Sequence, residues 1–101
     1  MKFSNLLKQL RQNKGVSIKK LAKEIDLNYT YISKLENSKV NPSSEVIDKF
    51  AHYFDYDIDE LTLAAGKIPE DIREILKNNP VEAIAYLRRK FIIDKSRQSE
   101  L

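Results

Sequence analysis

The sequence predicts an all-α protein, and three observations carry that reading. Glycine and proline are scarce, two and three in 101 residues, so few turns can be built. In segment after segment, apolar residues recur at the three- and four-residue spacing of one helix face. The alternation of β-branched and polar residues that marks half-buried strands is absent. Hydrophobic residues make up 42% of the chain, enough to fill a core and unlike the composition of a disordered segment.

Phe3, Leu6, Leu7 and Leu10 form the first apolar stripe, and Gly15, after Asn13 and Lys14, supplies a stop. Ser17 is placed to cap a second helix whose inward residues are Ile18, Leu21, Ala22 and Ile25. Only Asp26, Leu27 and Asn28 separate it from a third. Asn28 is the cap there, and Ile32 and Leu35 face inward. The polar stretch 37–44 contains Asn41-Pro42, a loop signal. Ser43 then caps a fourth helix with Glu45 in its first turn, where an acid meets the helix dipole favourably. Its inward residues are Val46, Ile47, Phe50, Ala51 and Phe54. A fifth helix is expected from Ile58 to Ala65, with Leu61 and Ala64 inward and Gly66 as its end.

These five helices, residues 1–66, make one small bundle. Pro69, ahead of Glu70 and Asp71, opens a sixth helix carrying Ile72, Ile75 and Leu76. Asn79-Pro80 breaks it and starts a seventh with Val81, Ile84, Leu87 and Phe91. The expected organisation is therefore a bundle over 1–66, a helical extension over 67–95 and a polar tail over 96–101 that frays.

The composition excludes several classes of function. With no Cys there is no disulfide framework, thiolate metal site or cysteine nucleophile, and the one His, His52, cannot build a zinc site alone. No Gly-rich phosphate loop, hydrolytic triad or metal cluster is present, so neither an enzyme nor a cofactor is expected. The four acids Asp55, Asp57, Asp59 and Glu60 lack the spacing of a cation loop, and a helix cap at Asp57 accounts for them better. No apolar run approaches the roughly 20 residues of a membrane span, and the first residues lack an apolar signal core, which points to a cytoplasmic protein.

The net charge of +3 is unevenly spread. Residues 1–49 hold ten Lys and Arg against five Asp and Glu, whereas 50–65 hold four acids and no Lys or Arg. A basic half beside an acidic block suits either an ordinary solvated surface or a face that meets a polyanion.

The informative feature is the second helix, its very short turn and the third helix. Helices joined so tightly cross steeply, and the second is projected outward. At 100° per residue, Ile32 and Leu35 turn inward while Thr30, Ser33, Lys34 and Asn37 lie on the opposite side, with Tyr29 at the N-terminal flank. Hydroxyls, an amide and a lysine on a slender face without acids suit a DNA major groove, where they match base-edge donors and acceptors. Tyr31 is read as a packing residue, and Tyr53 and Tyr56 as core or interface residues. His52 is read as surface or core edge. Lys19, Lys20 and Lys23 fit a solvated face and a phosphate-touching one equally.

Residues 4–66, with the string YISKLEN at 31–37 and the turn NPS at 41–43, resemble the helix-turn-helix domain of the phage repressor and Cro family, the XRE-type regulators of bacteria and phages. The resemblance implies a five-helix lambda-repressor-like bundle that binds double-stranded DNA. It implies base reading by Tyr29, Thr30, Ser33 and Lys34. It further implies phosphate contacts at Ser17 and Ile18, at Asn28, and at Asn37, Ser38, Lys39 and Asn41. Arg11 and Glu36 match a structural charge pair between the first and third helices. Position 18 is Ile where relatives often place a DNA-touching Gln, and position 26 is Asp where many have Gly at positive φ.

Such proteins read an operator as symmetric dimers, since one recognition helix spans only a few base pairs. The extension is too short for a ligand-binding or catalytic domain, and Ile84, Leu87, Phe91 and Ile92 are the expected homodimer contacts. The leading expectation is a sequence-specific regulator that represses its own promoter through a palindromic operator. The alternative is an antitoxin-type module, whose extension restrains a toxin or other protein partner.

Overall fold

The structure, a computed structural model, describes residues 1–93, so the polar tail over 96–101 lies outside the described residues. The elements are α1 (Phe3–Lys14), α2 (Ile18–Ile25), α3 (Tyr29–Glu36), α4 (Ser44–Phe54), α5 (Ile58–Ala64), α6 (Glu70–Asn78), α7 (Pro80–Leu87) and a π-helical turn, Arg88–Ile93. No strand occurs among the described residues. The chain divides into two compact units, Met1–Lys67 and a second beginning at Ile68. No described helix is long and apolar enough to cross a membrane.

Polar caps begin four of the helices. Ser17 Oγ accepts from the Lys20 amide at 3.0 Å, and Asn28 Oδ1 from Thr30 and Tyr31 at 2.7 and 3.3 Å. Ser43 Oγ accepts from Val46 at 3.2 Å, and Asp57 Oδ1 from Glu60 at 2.9 Å. Each cap satisfies an amide the helix leaves unpaired and contributes about 1 kcal/mol.

The C-terminal ends of α1 to α5 share one device. Gly15, Asp26, Ser38, Asp55 and Gly66 all take positive φ. The next amide in each case reaches back five residues to a helix carbonyl: Val16 to Arg11, Leu27 to Ala22, Lys39 to Lys34, Tyr56 to Ala51 and Lys67 to Thr62. This closure reverses the chain within two or three residues, and it is what allows five helices to fit into so short a unit. Glycine fills the left-handed position in only two of the five.

The core takes fully buried residues from all five helices: Leu7, Leu21, Ile32, Leu35, Ile47, Phe50 and Leu61. Phe50 lies between Phe3 and Phe54, with ring centroids 6.2 and 6.3 Å away. Val46, Phe54 and Ala64 pack on its margin.

The second unit is different. None of its described residues is buried. Ile72, Ile75 and Leu76 of α6 and Ala83, Tyr86 and Leu87 of α7 instead line an open recess of about 410 Å³. Two details depart from the sequence expectation. Pro69 caps α6 from outside rather than opening its first turn. The seventh helix is α-helical only to Leu87. Beyond it the π-helical pairing runs i to i+5, so Leu87 and Phe91 do not continue one α-helical stripe.

Candidate nucleic-acid interface

The inner side of α3 fixes its position. Ile32 and Leu35 are essentially fully buried, and Glu36 is 4% exposed. Burying a carboxylate is costly unless its lone pairs are met, and here both oxygens are. Arg11 Nε donates to Glu36 Oε2 at 2.6 Å and its second terminal nitrogen to Oε1 at 3.0 Å. Arg11 also donates to the Val16 carbonyl at 3.0 Å, so one guanidinium joins α1, the α1–α2 turn and α3. The hydrogen bonds that Arg11 donates to Glu36 are the main reason its pKa is held above its ordinary value.

α2 is fixed from its other side. Tyr53 of α4 donates its hydroxyl to the Glu24 carboxylate, which pushes the phenol pKa up to about 12. Lys14 lies 4.1 Å above the Tyr53 ring and donates to the Tyr53 carbonyl at 3.2 Å. Together α2, the turn through Asp26 at φ 56° and α3 form a pair of helices with the outer side of α3 open.

That outer side carries Thr30 and Lys34, both exposed, with half-buried Ser33 beside them. Tyr29 at the start of α3 is 53% exposed. Tyr31, on the opposite flank, packs on the core. The four side chains assigned to base reading therefore share one helix and one accessible side of it.

The residues assigned to phosphates fall on both ends of the helix pair. Ser17 and Asn28 are exposed, but each side-chain oxygen is occupied by its helix cap. Ile18 packs on the core margin. Asn37 is exposed, and its Nδ2 donates to the Ser33 carbonyl at 2.8 Å. Lys39 and Asn41 are exposed on the loop after α3. Ser38 is exposed on the same loop, and its hydroxyl donates to Ser4 Oγ of α1 at 2.7 Å. Ser4 and the Lys14–Tyr53–Glu24 cluster escaped sequence reasoning. One signal for Ser4 was present, since Ser4, Leu7 and Arg11 follow the i, i+3, i+7 spacing of a single helix face.

A helix-turn-helix family model matches residues 7–61, which takes in α2, the turn and α3. The chain belongs to the XRE-type helix-turn-helix family. The chain is also similar to the HTH-type transcriptional regulator DdrOP3 of Deinococcus deserti, with 26% identity over 84 residues. That alignment covers 75% of this chain and 65% of DdrOP3, so the chain spans just under two-thirds of its relative's length. No solved structure matches the chain at a significant level. Within this helix-turn-helix, α2 is the supporting helix and α3 the outward one. Asp26 stands where glycine is frequent and still adopts the left-handed turn.

Proposed function

We propose that this protein is a transcriptional regulator that binds a specific double-stranded DNA site in the cytoplasm, as a homodimer on a palindromic operator, and represses its own promoter. The observation that carries the DNA reading is the outer side of α3. It offers hydroxyls and one lysine, Thr30, Ser33, Tyr29 and Lys34, on a helix locked to α1 by Arg11 and Glu36. A helix so held can enter a major groove without the entropic cost of ordering itself. In this reading Lys34 donates to guanine O6 or N7, and Thr30 and Tyr29 contact base edges or thymine methyl groups. Lys39 and Asn41 meet phosphates beyond the C-terminal end of α3. The unpaired amides at the start of α2, behind Ser17 and Ile18, meet another.

The dimer reading rests on the second unit. None of its described residues is buried, so α6 and α7 enclose no core of their own. Its apolar side chains remain open, with Phe91 64% and Ile92 56% exposed, and Ile84 and Leu87 exposed beside them. Exposed large apolar side chains clustered on one short segment are what an association site offers. A second copy would cover it and set two α3 helices on half-sites about one DNA turn apart. A dimer bound over a promoter represses by occupancy, and an inverted repeat overlapping the promoter of the protein's own gene is the expected operator.

Lys39→Ala tests the phosphate contacts. The variant should weaken binding to all duplexes alike and reduce the dependence of affinity on salt by roughly one ion, without changing base preference. Titrations at several salt concentrations measure both. An unchanged slope would remove Lys39 from the interface.

A further inference from the structure

We infer that Ser4, a buried residue of α1, is a positioning residue for the loop that follows the recognition helix, and that it acts through the hydroxyl of Ser38. The inference rests on the proposed DNA reading, in which that loop carries the phosphate contacts Lys39 and Asn41.

The end of α3 explains why a serine is informative at position 38. Its backbone is left-handed, with φ 59°, and the amides of Ser38 and Lys39 return to the carbonyls of Leu35 and Lys34 at 3.3 and 2.8 Å. Glycine suits that position best, because a side chain crowds the backbone there. Among the other left-handed helix ends, Gly15 and Gly66 use glycine, while Asp26 and Asp55 use a residue type enriched in that region. Serine has no such preference. What Ser38 provides and glycine cannot is the 2.7 Å hydrogen bond to Ser4.

Ser4 in turn is one of only two buried polar residues among those described, the other being Glu36. It lies in the first turn of α1, where there is no preceding helical carbonyl for its hydroxyl to use. Ser38 is its hydrogen-bond partner. Beneath the loop lies a recess of about 200 Å³, lined by Ser4, Ser38, Val40, Asn41 and Pro42 among others. The far end of the loop is anchored by packing, through half-buried Val40 and buried Pro42. The near end spans the recess and is tied down by the serine pair. α1 therefore holds the C-terminal end of the recognition helix at two points: Arg11 grips Glu36 inside its last turn, and Ser4 grips the residue that reverses the chain behind it.

The test is DNA affinity as a function of salt for the full chain, Ser4→Ala, Ser38→Ala and the double variant, on one duplex that wild type binds. Each single variant is expected to bind about fivefold more weakly, the size of one neutral hydrogen bond, and to lose about one ion from the salt dependence. The double variant is expected to be no weaker than either single one, because both remove the same bond. Wild-type affinity and salt dependence in Ser4→Ala, whatever its thermal stability, would overturn the inference and leave Ser4 a packing residue. If Ser4→Ala does not fold, Ser38→Ala at its exposed position decides by the same two readouts. A wild-type chain that binds no duplex at any salt concentration overturns the DNA reading itself, and this inference with it.

Discussion

Glu36→Ala is expected to destabilise the first unit by about 3–5 kcal/mol. The arithmetic of the Arg11–Glu36 pair is asymmetric. The carboxylate is nearly inaccessible, with its side chain 2% exposed, and the guanidinium is 14% exposed. Removing the acid leaves a largely desolvated cation whose one remaining partner is the Val16 carbonyl. The loss is a large share of the roughly 5–15 kcal/mol that holds a domain together. Urea unfolding should show a lower midpoint at an unchanged slope. Replacing both residues by apolar ones of similar size, Arg11→Met with Glu36→Leu, should cost much less, since no unpaired charge remains. If the single and double variants lost the same stability, the pair's role would be packing alone. DNA affinity should fall with Glu36→Ala even where the fold persists, because the last turn of α3 loses its tie to α1.

Leu87→Asp with Phe91→Asp should convert the proposed dimer to a monomer and lower operator affinity by about 10²–10⁴-fold. Both side chains are exposed in the single chain, Leu87 at 43% and Phe91 at 64%, so the first unit has no reason to unfold. What is lost is the linkage of two half-site contacts. The second contact is intramolecular once the first is made, and a monomer forfeits that effective concentration. Mass measured in solution, with unfolding of the first unit as a control, separates these effects. A dimer that survives the substitutions, or that survives removal of residues 68–101, would move the interface elsewhere. A wild-type chain that is monomeric and captures a defined protein from the neighbouring gene would assign the apolar surface to that partner instead.

Much of this architecture was legible in the sequence because its signals are local. The caps Ser17, Asn28, Ser43 and Asp57 are polar residues immediately ahead of apolar-periodic segments, and each caps as expected. Arg11 and Glu36 lie 25 residues apart, and periodicity alone would not have joined them. The family resemblance did. The serine pair was hidden for a different reason. Positive φ at Ser38 follows from the three-dimensional closure of α3, and serine gives no compositional hint of it. The contact between Tyr53 and Glu24 likewise depends on how α4 crosses α2, which spacing does not encode. In the second unit, the apolar spacing of 84, 87 and 91 assumed a continuous α-helix, and the π-helical turn from Arg88 breaks that register.

In the proposed function the outer side of α3 reads bases. Selection of bound duplexes from a random pool, with wild type and Lys34→Ala side by side, tests it most directly. Wild type should enrich two inversely related half-sites about 10 bp apart, centre to centre. Lys34→Ala should retain the half-sites but lose preference at one base pair in each, at a cost of about 1–3 kcal/mol in affinity for the original site. Enrichment of the same duplexes with the same affinity by both proteins would show that this face of α3 does not read DNA.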